Sequence, residues 1–240
     1  MIGVIFLVTL PGFALGAVVM ALANRRVSPE IARARWLKLV VFGLIVHAVL
    51  GAAALGRGWV VALLVLVLAI GARELAGAWR RMAAPRPAAV WPVFVVVAAL
   101  GLSAAWSLPP ETFAALYVVT AAFDGFSQVT GQWLGRRKLA PRLSPGKTVE
   151  GLAGGLVAAT AVALMMHTLF HLDAATAAAT GLAIGAAGLA GDLAASWVKR
   201  RAGIKDYSAL LPGQGGVLDR FDSLLGALAV VGVPLSLLLR

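Results

Sequence analysis

The sequence contains no cysteine and only three histidines, and charged residues make up 13% of its 240 positions. Without cysteine there are no disulfides and no thiolate metal sites, and three histidines are too few for a histidine-rich metal cluster. Soluble domains carry about 25% charged residues, whereas this chain is 61% hydrophobic. A single soluble core could not bury so much apolar surface, but a bilayer can solvate it. The composition therefore predicts an integral membrane protein.

Apolar runs of the length that a membrane-crossing helix needs, about 20 residues, recur along the chain. They are approximately Ile2–Ala23, Leu37–Leu55, Trp59–Ala72, Ala88–Trp106, Phe113–Ser127, Thr148–Leu169, Ala174–Val198 and Val217–Leu239. The third and fifth runs are short, so the number of spans lies between seven and nine. Alternation typical of strands is absent. We predict an all-α, polytopic transmembrane helical bundle of about eight spans. It forms one integral membrane domain, with N-terminal helices in 1–112 and C-terminal helices and polar loops in 113–240.

Lysine and arginine are distributed unevenly between the two ends of these spans. Of the 21 basic residues, 19 fall in the first, third, fifth and seventh connections. Because basic loops stay in the cytosol, these connections are predicted to be cytosolic and both termini to lie outside. The formal charge of +11 then reflects loops that meet anionic lipid, and no nucleic-acid partner is expected.

Acidic residues follow the same asymmetry. Six of the ten acids lie beside the fifth or seventh connection. They are Asp124, Glu150, Asp192, Asp206, Asp219 and Asp222. Since acids close to a membrane interior are costly and usually functional, their convergence predicts a polar site on the cytosolic side.

Two segments flank the fifth connection. Asp124 is followed at helical spacing by Gln128 and Gly131, which gives one polar or bare helix face. The stretch SPGKTVEG, with Ser144 and Lys147, opens the sixth span. Free amides at a helix start favour anions, and the lysine adds positive charge. A plain helix cap with a snorkelling lysine is the alternative interpretation.

The seventh span carries Asp192, Ser196 and Lys199, which recur at four and seven residues and so share one helix face. An aspartate inside an apolar run needs a partner. That partner is either a bound cation or a basic side chain in a structural ion pair, with Lys199 or with another basic residue.

The segment from Lys199 to Asp222 combines bases, glycines and spaced aspartates. Asp219 and Asp222 are three apart on a predicted helix, and paired carboxylates suit magnesium that is shared with substrate phosphates. The glycines offer backbone amides to phosphate oxygens. Positive charge for the remaining phosphate oxygens comes from Lys199, Arg200, Lys205 and Arg220.

These residues carry a resemblance to a known family. Ser196–Arg200, Lys205-Asp206 and the stretch PGQGGVLDRFDS resemble the signature of the phosphatidate cytidylyltransferases, also called CDP-diacylglycerol synthases. The resemblance covers roughly residues 120–225, while the N-terminal spans match only in character. Gln214 stands where the family usually has histidine, and glutamine does not titrate near neutral pH.

The resemblance implies transfer of a cytidylyl group from CTP to phosphatidate, giving CDP-diacylglycerol and pyrophosphate for phospholipid biosynthesis. The bias toward alanine, arginine and glycine indicates a bacterial source, so that we expect an inner-membrane enzyme whose site faces the cytosol with the basic connections. Asp219 and Asp222 would hold Mg²⁺, with Asp192 and Asp124 as further ligands. The residues expected to contact CTP, phosphatidate or the reacting groups are Ser144, Lys147, Ser196, Lys199, Arg200, Lys205, Gln214, Gly215, Gly216 and Arg220.

Several alternatives stay open at this point. The acceptor could be another lipid phosphate or an isoprenoid phosphate, and buried aspartates in interrupted helices also build transporters of anionic solutes. An inactive scaffold is a further alternative because of Gln214. Gly181, Gly185 and Gly188 are compatible with a homodimer interface or with packing inside one chain.

Overall fold

The computed structural model describes residues 2–25 and 27–239. Helices dominate this part of the chain. Their bounds are α1 Ile2–Asn24, α2 Pro29–Leu55, α3 Arg57–Arg81, α4 Val90–Ser107, α5 Pro110–Leu134, α6 Val149–Met165, α7 Ala174–Arg201, α8 Leu218–Ala227 and α9 Val233–Leu238. A π-helical turn, Leu228–Gly232, joins α8 to α9 without a break. Each predicted span therefore coincides with one helix or one continuous helical run.

Membrane-crossing character is shown by length and composition. Among the described residues, five helical runs are long and apolar enough to cross a bilayer: α2, α3, α4, α7 and Leu218–Leu238. Helix α6 is apolar but shorter. Large apolar side chains stay exposed on the outer faces, among them Val157 at 70% and Met165 at 77%. The chain is an all-α membrane protein, as its composition predicted.

The short third and fifth spans are longer than the sequence suggested. Helix α3 continues past Ala72 to Arg81, so that Glu74 lies inside a helix and not in a loop. Helix α5 runs to Leu134 and includes Gln128 and Gly131. Both extensions are polar enough to end an apolar run, although the backbone continues to be helical.

A short hairpin occupies the connection between α5 and α6. Strand β1, Lys138–Ala140, pairs antiparallel with β2, Ser144–Thr148. The first residues of SPGKTVEG thus precede the helix as a strand, and the predicted start of the sixth span at Thr148 is one residue too early. Proline and glycine disfavour a helix there, and the helix begins at Val149. Thr148 is extended and caps it, with its side chain accepting a bond from the Gly151 amide at 3.0 Å.

Glycines allow the C-terminal helices to approach closely. A Cβ added to Gly181 would lie 2.8 Å from the Ala159 carbonyl of α6, and one added to Gly185 would lie 2.9 Å from Phe123 of α5. Gly226 of α8 likewise packs against Gly191 of α7. Packing inside one chain thus accounts for Gly181 and Gly185, and these two glycines give no support to a homodimer interface.

Candidate functional site

Polar side chains from several helices meet at one end of the bundle. This end contains the C-terminal ends of α3, α5 and α7 and the starts of α6 and α8. The loop between α7 and α8 also reaches α2, where the Gln214 side chain donates to the Lys38 carbonyl at 2.8 Å. Elements beside the first, third, fifth and seventh connections thus lie at the same end of the bundle, and their placement on the cytosolic side of a membrane stays a prediction.

An ion pair between Lys199 of α7 and Asp219 of α8 lies at the centre of this end. The two side chains are 2.6 Å apart and are 10% and 6% exposed. Asp219 also accepts from the backbone amides of Tyr207, at 2.8 Å, and Gly216, at 2.9 Å. The Asp219 carboxylate thus binds both the Lys199 ammonium and the backbone of the α7–α8 loop.

Tyr207 connects this ion pair to its surroundings. Its hydroxyl donates to the Ala195 carbonyl at 3.2 Å, and the Lys199 ammonium lies 5.4 Å from the ring centroid. Burial, together with the nearby carboxylates, raises the pKa of Tyr207 above its usual value. The phenol therefore stays a neutral hydrogen-bond donor.

Asp192 has a different partner from the one that helical spacing suggested first. It forms an ion pair with Lys147 at the end of β2, and it accepts a bond from Ser196 at 3.2 Å. Lys199, on the same helix face, turns to Asp219 instead. The structural ion pair with another basic residue is the alternative that the structure shows. Substrate binding by Lys147 and Ser196 stays a prediction.

Three acidic side chains, Asp124, Asp192 and Asp222, lie near one another beside these ion pairs. Ser223 links two of them, because its hydroxyl donates to Asp124 at 3.1 Å and its amide to Asp222 at 2.8 Å. Asp124 and Asp222 both interact electrostatically with Asp192. Opposing positive charge comes from Lys147, Lys199 and Arg220.

Asp219 and Asp222 have different partners in the structure, and their role as metal ligands stays a prediction. Asp219 turns to Lys199 and the loop amides, whereas Asp222 turns to Ser223. Within residues 2–25 and 27–239, no group of three or more acidic or histidine side chains is arranged to hold a metal ion. A magnesium ion would thus need oxygen ligands from its substrate, which is its usual habit in sites that bind phosphates.

Three amides of the PGQGG loop have acceptors within the protein. Those of Gln214 and Gly215 donate to the Leu211 carbonyl at 2.9 and 3.1 Å, and that of Gly216 donates to Asp219. Gly215 has a φ of +87°, which favours glycine. A role of the three residues in substrate binding stays a prediction, but the amides that were expected to serve it already have acceptors.

The remaining predicted binding residues surround this centre. Arg200 donates to the carbonyls of Leu143, at 3.0 Å, and Ile204, at 3.2 Å, and so ties the hairpin to the end of α7. Ser144 pairs with Ala140 in the hairpin. Lys205 and Arg220 are exposed, and in the part of the chain that the structure describes neither forms an ion pair.

Glu74 of α3 is a site residue that the sequence analysis missed. It is 7% exposed. It accepts bonds from the Ser208 hydroxyl at 2.6 Å and from the amides of Val217 and Leu218 at 3.0 and 2.8 Å. The position of Glu74 just after an apolar run could have indicated a site residue. The predicted span ended at Ala72, however, and so placed Glu74 in a loop.

An apolar cavity of about 360 Å³ lies beside the site, between α3 and α4 on one side and α7 and α8 on the other. Its walls include Phe94, Val97, Ala194 and Leu225. Asp222 also lines it. The cavity thus brings apolar volume next to the group of carboxylates.

The fold and the site together define an all-α membrane protein with its acidic and basic side chains gathered at one end of the bundle. The chain belongs to the cytidylyltransferase family, whose sequence model matches residues 4–238. The family therefore extends over nearly the whole chain, beyond the residues 120–225 that carried the resemblance.

Individual relatives match the chain over a shorter stretch. It is 41% identical over 118 residues to the phosphatidate cytidylyltransferase of Haemophilus influenzae, covering 47% of this chain and 41% of that protein. It is 43% identical over 114 residues to the phosphatidate cytidylyltransferase of Bacillus subtilis, covering 45% and 41%. It is also 43% identical over 111 residues to the uncharacterized protein YnbB of Escherichia coli, covering 46% and 37%. The matched part thus spans less than half the length of each relative.

Proposed function

We propose that the protein transfers a cytidylyl group from CTP to phosphatidate, with CDP-diacylglycerol and pyrophosphate as products. The observation that carries this proposal is the meeting of acidic side chains (Asp124, Asp192 and Asp222) with basic ones (Lys147 and Lys199) directly beside an apolar cavity. A lipid phosphate needs both surroundings, one for its head group and one for its acyl chains. The relatives named phosphatidate cytidylyltransferase support the same reaction.

The chemistry requires positioning more than proton transfer. The acceptor is a phosphate monoester that is already ionised at neutral pH, and it attacks the α-phosphorus of CTP while the bond to pyrophosphate breaks. Catalysis then depends on alignment and on neutralising the phosphate charge. The exposed Lys205 and Arg220 at the site can supply positive charge, and Lys147 and Lys199 are held close by their own ion pairs. Gln214 in place of histidine does not obstruct such a reaction.

Magnesium is the metal that we propose for the site. Ser223 connects Asp124 and Asp222, and a divalent ion that arrives with the CTP phosphates would find acidic oxygens there and take its remaining ligands from the substrate. Asp219 could join them only if Lys199 released its oxygen. When bound, the ion would neutralise charge on the departing pyrophosphate.

We also propose that the site faces the cytosol of a bacterium from its inner membrane. The basic residues of the alternate connections support this orientation. CTP is then available on the side where the lipid head groups and the polar end of the bundle meet. The relatives named above come from bacteria.

The test is pyrophosphate release by the purified protein in detergent micelles with CTP, magnesium and phosphatidate, each omitted in turn. Strict dependence on all three, with CDP-diacylglycerol as product, is the expected result. CTP binding without release would indicate another lipid or isoprenoid phosphate as acceptor. Absence of CTP binding by the folded protein would overturn the proposal in favour of a transporter or an inactive scaffold.

A further inference from the structure

Helix α3 carries a buried carboxylate that the proposed chemistry does not use. Glu74 is 7% exposed, and in residues 2–25 and 27–239 it forms no ion pair with a basic side chain. Burying an unpaired carboxylate is costly unless hydrogen bonds satisfy it. Its three donors are the Ser208 hydroxyl and the amides of Val217 and Leu218. All three belong to the loop between α7 and α8 or to the first residues of α8.

The start of α8 lacks a cap from its own sequence. The residue at the cap position is Val217, and no side-chain bond from it reaches the helix. The first amides of a helix have no intrahelical acceptor and need one from elsewhere. Glu74 supplies it from α3, and its negative charge also suits the positive end of the helix dipole. A residue of the N-terminal half thus caps a helix of the C-terminal half.

Two carboxylates accept hydrogen bonds from the three successive amides at the start of α8. Asp219 accepts from Gly216, and Glu74 accepts from the next two residues along the chain. The fit around Glu74 is close, because a Cβ added to Gly216 would lie 2.5 Å from a carboxylate oxygen of Glu74. Glu74 therefore fixes both the end of the PGQGG loop and the first turn of α8, which carries Asp219 and leads directly to Asp222.

We propose that Glu74 is a positioning residue for the transfer site and that it acts through the start of α8. The proposal rests on the proposed function, since the groups it positions are those assigned to cytidylyl transfer. Glu74 sets the place of the α8 carboxylates relative to Lys199 and Asp124. A misplacement of about 1 Å can cost on the order of 100-fold in rate.

The decisive variant is Glu74→Gln, which keeps the shape of the side chain but removes its charge and turns one acceptor into a donor facing backbone amides. Glu111→Gln is the matched control, because that acid lies in the first turn of α5 at the other end of the bundle. Hydrogen exchange is measured by mass spectrometry, and kcat and the KM for CTP are measured in micelles. Glu74→Gln should speed exchange in 205–222 but not in α6. It should also lower kcat by about 10- to 100-fold, with little change in KM.

A milder variant keeps the proposal testable if Glu74→Gln does not fold. Ser208→Ala removes one donor to Glu74 and should change local exchange and kcat in the same direction but less. The double variant should be little worse than Glu74→Gln alone, because the two residues act through one contact. Additive effects would contradict this.

The outcomes separate this proposal from the proposed function. Unchanged exchange in 205–222, or exchange that rises equally in α6, would overturn the positioning role. Faster exchange in 205–222 with an unchanged kcat would show that Glu74 holds the start of α8 but does not affect the reaction, which would also overturn the proposal. If the wild-type protein showed no cytidylyl transfer, the proposed function would fail, and the exchange measurement would still decide whether Glu74 holds the start of α8.

Discussion

The two ends of the helix bundle use polar side chains in different ways. At the site end, polar contacts join distant parts of the chain: Glu74 to Ser208, which is 134 positions away, and Asp124 to Ser223, which is 99 positions away. At the opposite end, Asp173 bonds to Thr176, three positions on. A contact there that joins distant parts of the chain, from the Thr112 hydroxyl to the Leu169 carbonyl, is neutral.

This difference indicates that the site end is the one that can hold buried charged groups for a reaction. Buried charges persist only when other groups satisfy them, so the site end is an interdependent network that fixes several helices at once. The opposite end contains local caps, each of which could change without moving another helix. Substitutions at the site end should therefore have large effects on stability and activity together, and matched substitutions at the opposite end should have small ones.

The largest effect is expected for Asp219→Asn. The variant leaves Lys199 buried and charged without its partner, and removing one member of a buried ion pair costs about 3–5 kcal/mol. The free energy of unfolding in mixed micelles should fall by about 3 kcal/mol, and cytidylyl transfer should be lost. Asp206→Asn, in an exposed position of the same loop, is the stability control. Full stability of Asp219→Asn would refute the view that this ion pair holds the site end together.

The next effect concerns the apolar cavity at the site end. Ala194→Phe adds bulk to its wall and should raise the KM for phosphatidate about tenfold, while the KM for CTP stays unchanged. Ala179→Phe is the matched control, since this alanine is exposed on the same helix and does not line the cavity. Initial rates at varied lipid mole fraction measure the difference. If the two variants changed the KM for phosphatidate equally, or if only the KM for CTP changed, the acceptor lipid would not bind in this cavity.

Much of the fold could be predicted from the sequence because a bilayer imposes a simple length and polarity requirement on each helix. The contact of Ser196 with Asp192 also follows from their spacing of four on one helix. Contacts between helices could not be predicted in this way. Lys147, and not Lys199, pairs with Asp192 because β2 brings it there.

The contacts of Glu74 show most clearly what a local sequence pattern cannot predict, namely bonds to distant parts of the chain. Its carboxylate oxygens accept from amides more than 140 positions away. Because almost every residue type has a backbone amide, the sequence does not indicate which amides would be the partners. Gln214 is similar, since its acceptor is the backbone carbonyl of Lys38. Both residues bond to main-chain atoms of distant chain segments.

A smaller effect is expected at Gln214, where the bond to Lys38 is partly exposed and worth about 1 kcal/mol. Gln214→Ala should lower the rate by a few fold. Gln214→His should restore much of it at neutral pH, because a neutral imidazole can also donate to that carbonyl. Rates of the three proteins between about pH 5.5 and 8.5 measure this, around the ordinary histidine pKa of about 6.5. A large gain in rate with a new histidine inflection in Gln214→His would show that the position serves proton transfer instead.

The smallest effect is expected at the opposite end, for Asp173→Asn. The Asp173 carboxylate accepts from the Thr176 hydroxyl at 2.6 Å and from the amides of Thr176 and Ala175 at 3.1 and 3.0 Å. These bonds hold the pKa of Asp173 below its usual value. The cap is therefore fully effective above the unfolded pKa of about 3.9, and it weakens as the pH falls through the lower folded value. Asparagine caps about as well as aspartate, so the variant should match the wild type near pH 7.

The pH dependence makes this variant a test of the comparison between the two ends. Unfolding temperatures in micelles from about pH 3 to 7 should show a shallower acid-induced loss for Asp173→Asn, because asparagine does not titrate. Transfer activity at neutral pH should be unchanged, since the bonds of Asp173 stay within the first turn of α7. A loss of activity comparable to that of Asp219→Asn would mean that the two ends are coupled through α7, and that its caps are not local.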